Sequence, residues 1–246
     1  RPRVIDLSSL WAGPLCGQLL HRLGAEVIKV ESPRRPDGAR NGNAAFFNRL
    51  NAGKRCVAID ATTGEGRQAL HALIAGADIV IEASRPRGLR QLGIEAEALL
   101  RERPGLSWIS INGYGRREPE ANWIAYGDDA GVAAGLSSLM QAAHGESMIV
   151  GDAIADPLTG LHAALAAWAS WCDGGGRLLS LAMVDVVRHC IAQTAEADPV
   201  ARGHDWQRWL AANRIQALPP RAPLVTGTAS ALGADNHAFL PEAASC

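Results

Sequence analysis

Asp156 is the residue in this sequence best placed to do chemistry. It stands in Gly151-Asp-Ala-Ile-Ala-Asp-Pro-Leu-Thr-Gly160, directly before Pro157 and ahead of a run of small residues that includes Ala163, Ala164 and Ala167. Asp followed by Pro is a helix-start signal, with the carboxylate at the N-cap and Pro at the first helical position. A carboxylate there has two readings. It caps the helix, or it is a reactive group held on a rigid element, and local rules leave both open. Asp152, four residues earlier, reads as part of a turn. The seven histidines show no ligand spacing, and His162 falls on a different helix face from Asp156. Gly13-Pro-Leu-Cys-Gly17 is not a G-x-G-x-x-G run, so nothing here implies a nicotinamide cofactor.

The elements that must hold Asp156 alternate. Val4–Leu7 reads as a strand, Leu15–Leu23 as a helix stopped by Gly24, and Glu26–Glu31 as the next strand. Arg55–Asp60, Asp78–Glu82 and Leu106–Ile111 are further strands, with helices at Thr63–Ala75 and up to Arg103. Ser32–Asn51 is polar and rich in Pro and Gly, which reads as a long loop. After Asn112-Gly-Tyr-Gly115, a helix is expected over Ala130–Ala143, then the Asp156 helix. A strand at Leu178–Leu181 and a helix at Val184–Ala195 follow the glycine turn 174–176. This pattern predicts an α/β fold: a doubly wound, mostly parallel sheet with helices on both faces. From about Ala197 prolines break the pattern, and only Trp206–Asn213 reads as helical.

Composition narrows the class. The chain has 246 residues, 48% hydrophobic and 20% charged, with a formal net charge of −1. That is an ordinary globular balance, with no electrostatic reason to expect a nucleic-acid partner. Only Lys29 and Lys54 are lysines among 24 basic residues, which reads as a compositional habit of the genome. Five cysteines form no C-x-x-C pair. They argue against a disulfide scaffold and a zinc site and fit a reducing cytoplasm. No apolar run is long enough to span a bilayer.

The motifs, taken in order, resemble class III CoA-transferases, a family that includes formyl-CoA transferase, carnitine CoA-transferase and α-methylacyl-CoA racemase. Val4-Ile-Asp-Leu-Ser with Ala12-Gly-Pro14 is similar to the family's first strand and turn, and Leu23-Gly-Ala-Glu-Val-Ile-Lys-Val-Glu31 to its second strand. Asn51-Ala-Gly-Lys-Arg-Cys-Val-Ala-Ile-Asp60 is similar to the third. Ala77-Asp-Ile-Val-Ile-Glu82 with Arg85-Pro86 resembles the loop over the thioester, and Ile109-Ser-Ile-Asn-Gly-Tyr-Gly115 the strand and glycine loop after it. Asp156-x-x-Thr159-Gly160 resembles the catalytic-aspartate motif. Gln91 departs from an Arg common in the family near CoA, and Ala125-Tyr-Gly-Asp-Asp129 stands where the racemases have a Gly-His-Asp motif.

The resemblance implies an acyl-CoA:carboxylate CoA-transferase with Asp156 as its nucleophile. Coenzyme A enters as acyl-CoA co-substrate, a carboxylic acid as acceptor, and no metal is implied. It further implies CoA contacts from Arg40, Lys54, Arg85, Arg87 and Arg90, and acyl or oxyanion contacts from Gly113, Gly115 and Tyr126. Residues 1–196 would form a Rossmann-like CoA-binding and catalytic domain. Residues 197–246 would be a shortened C-terminal segment without the family's small domain. A cytoplasmic homodimer is expected, or a chain completed by a partner subunit. Two alternatives stay open: an acyl-CoA racemase or isomerase on the same fold, and a non-catalytic CoA-binding protein.

Overall fold

The computed structural model describes residues 1–84, 86–193, 198–216 and 227–241. Six strands make one parallel sheet: β1 (Arg3–Asp6), β2 (Glu26–Glu31), β3 (Arg55–Ala58), β4 (Ile79–Glu82), β5 (Ser107–Asn112) and β6 (Arg177–Ala182). Their order is β3-β2-β1-β4-β5-β6. The chain winds outward from β1 to one edge, crosses back to β4, and winds to the other edge. The order of winding therefore reverses between β1 and β4, where doubly wound folds place their ligands.

Helices lie between the strands and after the last one: α1 (Ala12–Arg22), α2 (Ala44–Asn51), α3 (Gly64–Ala75), α4 (Pro86–Gln91), α5 (Ala96–Glu102), α6 (Gly127–Ala133), α7 (Leu136–His144), α8 (Ala155–Cys172), α9 (Met183–Ala192), α10 (Pro199–Ala212) and α11 (Asn236–Phe239). Strand residues alternate between the two helix layers, as a period of two requires. Val4, Val27, Ile79, Ile81, Ile109 and Ile111 pack into the layer holding buried residues of α1, α8 and α9. Ile5, Ile28, Val57, Val80 and Trp108 pack against Leu70, Ile74, Ile94 and Leu240 on the other face. Each such aliphatic side chain removed from water stabilises the fold by roughly 1.5–3 kcal/mol.

Several expectations change. Ser32–Asn51 is not one long loop: it holds a 3-10 turn at Gly38–Asn41 and α2, each begun by an Asp37 or Asn43 side-chain cap. The helix expected over Ala130–Ala143 is two, α6 and α7, because Gly135 adopts φ +104° and breaks the run. Asp198-Pro199 does not interrupt structure but starts α10, the Asp198 side chain accepting from the Val200 N–H. Residues 227–240 return to the edge of β3. Asp235 accepts the Cys56 N–H at 2.8 Å, and Asn236 accepts the Ala58 N–H at 2.8 Å while donating to Ala58 O. Side chains thus pair the open edge that a further strand would otherwise occupy.

Candidate active site

Asp156 lies at the second residue of α8, two positions past the N-cap, which Ile154 occupies. The cap reading is therefore corrected: Asp156 caps nothing in its own helix. Instead its carboxylate meets the starts of two other helices. Oδ1 accepts the N–H of Ala12, first residue of α1, at 3.2 Å. The N–H of Gly127, first residue of α6, faces the carboxylate as well and favours its charged form. Ala12 follows β1 and Gly127 follows β5, so the carboxylate sits outside the carboxyl ends of the strands, beside the reversal point.

Close approach makes this possible. Gly127 has no room for a Cβ, which would overlap Ala153 O and Asp156 Oδ2. At Gly160 a Cβ would lie 2.7 Å from Ala12 O and 3.0 Å from the Leu15 Cβ. Small residues at Gly160, Ala163, Ala164 and Ala167, all buried, let α8 lie against α1 and bring Asp156 to its N-terminus. Asp128 Oδ1 accepts the N–H of Ala153 at 2.9 Å, and Ala153 takes a left-handed φ of +46°. That contact ties α6 to the turn ahead of α8.

Burial raises the Asp156 carboxyl above the ordinary aspartate range. The two backbone N–H groups oppose the shift, and the nearby carboxylates of Asp128 and Asp152 add to it. The result is a poorly hydrated carboxylate facing fixed donors, the condition for a carboxylate nucleophile.

The other expected site residues fall in different places. Lys54 is buried, with its ammonium donating to Asp6 Oδ2 at 2.9 Å, Pro14 O at 2.9 Å and Asn51 Oδ1 at 3.2 Å. Arg40 donates to both oxygens of Glu31, reaches Ser230 O and lies over the Phe47 ring. Both basic groups hold the protein together; Lys54 is buried with all three donors occupied, which corrects the expectation that it meets CoA phosphates. Gly115 is also corrected as an oxyanion donor, since its N–H donates to Asn112 Oδ1 at 2.7 Å. Gly113 supplies close packing: its carbonyl accepts the Val184 N–H, and a Cβ would lie 2.7 Å from the Ala125 Cβ. Tyr126 is 62% exposed and precedes Gly127, with its N–H on Asp129. Arg87 and Arg90 lie exposed on α4, Arg90 within 3.8 Å of Glu97, while Arg85 lies outside the described residues. The donors that do meet Asp156, from Ala12 and Gly127, were missed because a backbone N–H leaves no trace in residue type.

This arrangement defines a doubly wound α/β protein with a half-buried carboxylate at the reversal point of its sheet. Residues 2–223 match the family model described as CoA-transferase family III, and the chain belongs to that family. Succinate–glutarate CoA-transferase from Agrobacterium fabrum is 34% identical over 75% of this chain and 50% of its own length. Formyl-CoA:oxalate CoA-transferase from Afipia carboxidovorans is 32% identical over 82% of this chain and 50% of its own. A crystal structure of a CAIB/BAIF family protein from Brucella suis superposes with a TM-score of 0.72 at 31% identity, over 87% of this chain and 58% of that one. That of Rv3272 from M. tuberculosis, in an orthorhombic form, gives 0.71 at 32% identity, over 78% of this chain and 55% of that one. The chain thus spans about half the length of the curated relatives it matches.

Proposed function

We propose that the protein transfers coenzyme A from an acyl-CoA to a carboxylic acid through covalent intermediates on Asp156. The observation that carries this reading is the half-buried carboxylate held under two backbone N–H groups at the reversal point. Membership of the family supports it, and the names of the relatives point to dicarboxylic or other small acids as acceptors.

The steps balance without redox or net proton transfer. One Asp156 oxygen attacks the thioester carbonyl, the C–S bond breaks, CoA leaves as thiolate, and a mixed anhydride remains. The thiolate then attacks the Asp156 carboxyl carbon, breaking its bond to the bridging oxygen. The donor acid departs as a carboxylate and an aspartyl-CoA thioester remains. The acceptor carboxylate attacks that thioester, and the returning thiolate releases the new acyl-CoA and restores Asp156. Attack on the aspartyl carbon puts negative charge on the oxygen that is not bridging. With Oδ1 in that position, the Ala12 N–H is already there to receive it, and removing one such donor typically slows an acyl transfer by about 100-fold or more.

The rest of the reading follows the same proposal. Residues 1–196 form the catalytic, Rossmann-like unit, followed by a C-terminal segment over residues 197–246. The protein works as a homodimer in the cytoplasm. Cys16, Cys56, Cys172 and Cys190 are free thiols, which supports a reducing compartment. Among the described residues no helix is long and apolar enough to cross a membrane.

Incubation with succinyl-CoA, then hydroxylamine, tests the mechanism. Mass spectrometry should find the hydroxamate on the peptide carrying Asp156 and none in Asp156→Ala. Saturable CoA binding by calorimetry with no adduct and no transfer to glutarate would instead make this a CoA-binding protein.

A further inference from the structure

Five residues, Leu7 to Trp11, join β1 to α1 and aim the N–H of Ala12. Leu10 takes φ +71°, a left-handed conformation that bulky side chains avoid. Two buried ion pairs hold this turn from beneath. Asp37 Oδ1 accepts the Leu10 N–H at 3.0 Å, and its Oδ2 accepts from Lys29 Nζ at 2.8 Å. The same ammonium donates to Ser8 O at 2.9 Å, so one pair grips the turn at both Ser8 and Leu10. The second pair, Lys54 with Asp6, grips it on either side. Asp6 Oδ1 accepts the Ser8 N–H at 3.0 Å, and Lys54 Nζ donates to Pro14 O at 2.9 Å in the first turn of α1. Ala12 stands between these anchors.

We propose that the Lys29–Asp37 pair, backed by Lys54–Asp6, is the positioning device that keeps the Ala12 N–H on Asp156; this rests on the reading of Asp156 as the nucleophile. Burial supports it, since Asp6, Lys29, Asp37 and Lys54 are each at most 2% exposed. Residue choice supports it independently. These are the only two lysines in a chain of 24 basic residues, and both lie under this one turn. An ammonium aims three donors from a single atom, whereas a guanidinium spreads its donors over a planar fork. Lys29 reaches Ser8 O and Asp37 together, and Lys54 reaches Asp6, Pro14 O and Asn51 together.

Buried ion pairs seldom add stability over apolar residues of equal size, though breaking one half is strongly destabilising. A positioning role and a merely structural one therefore separate in a double substitution. Lys29→Met alone leaves Asp37 charged and unpaired, and should lower Tm sharply. Lys29→Met with Asp37→Leu removes both charges and should recover most of that Tm. The readouts are the carbon-13 titration of the Asp156 carboxyl, assigned with Asp156→Asn, and the rate of adduct formation with succinyl-CoA on the full chain. Asp128 and Asp152, the other carboxylates facing Asp156, are unchanged in every variant.

With the Ala12 N–H no longer held, the double variant should titrate Asp156 at higher pH than wild type. Its adduct formation should slow by about 100-fold, with KM little changed. A double variant with recovered Tm, an unshifted Asp156 titration and a wild-type rate would overturn the proposal. If the wild-type chain forms no adduct at all, the nucleophile reading fails, and the titration still decides the positioning claim. If the double variant does not fold, hydrogen exchange on the native protein decides. Leu10 and Ala12 amides should exchange as slowly as those of β1, and exchange at the rate of exposed turns would sink the idea.

Discussion

Asp156 makes a prediction about stability as well as catalysis. Its folded-state pKa lies above the ordinary value of 3.8, so the fold favours the protonated form. The charged carboxylate therefore lowers stability at neutral pH. That loss is relieved as the pH falls through the raised value and is gone below 3.8. Asp156→Asn should raise Tm at pH 7, because it removes the charge that burial disfavours. Thermal melts of both proteins from pH 7 to pH 3.5 should show the difference shrink toward zero; a constant difference would mean the carboxyl is unperturbed. The thiols divide in the same way. Burial pushes Cys56 up to about 11 and Cys16 higher still, whereas Cys172 is exposed. In native protein at pH 7.5, a disulfide reagent should modify Cys172 promptly and Cys16 and Cys56 only after unfolding, read from the absorbance time course of wild type against Cys172→Ser. At this scale the sequence shows Asp156 because its neighbours form a motif. It hides the roles of Lys29 and Lys54, whose rarity was the only available signal.

Packing between helices decides whether that carboxylate meets its donors. Gly160 is where α8 touches α1, with room for a hydrogen but not a methyl group against Ala12 O. Gly160→Ala should lower the unfolding free energy by about 1–3 kcal/mol, as overpacking of a tight contact does. It should also push Ala12 off Asp156 and reduce kcat. Urea denaturation and steady-state transfer from succinyl-CoA to glutarate check the two effects. Gly127→Ala acts on the other donor and should reduce kcat further, because its added methyl group meets the carboxylate itself. Strands and most helices were legible because buried parallel strands read as short apolar runs and their caps as Gly, Asp and Thr. The segment from Ser32 to Asn51 was not. Its polar residues read as loop, yet Asp37 and Asn43 cap short helices and Glu31 binds Arg40 within it. Polar composition marks solvent exposure only when the polar groups lack partners, and here they have them.

Taken whole, Asp156 is placed by backbone groups from three segments: Ala12, Gly127, and Ala153, whose carbonyl accepts the Asp156 N–H at 2.9 Å. The segment beside the carboxylate is exposed. Trp123, Ile124 and Tyr126, on the segment leading to Gly127, are between 51% and 66% exposed. Anhydride and aspartyl-thioester intermediates are both prone to hydrolysis, and protecting them requires a site that excludes water. The two facts together predict how the isolated 246-residue chain divides its turnover. It should form the Asp156 adduct with succinyl-CoA, but much of that adduct should be lost to water instead of passing to glutarate. Following free CoA and glutaryl-CoA together by chromatography measures the division. Free CoA should exceed glutaryl-CoA at early times and fall relative to it as glutarate is raised, since the acceptor competes with water for one intermediate. Stoichiometric transfer with no release of free CoA would show that water is already excluded, and would place the cover over Asp156 within this chain or a second copy of it.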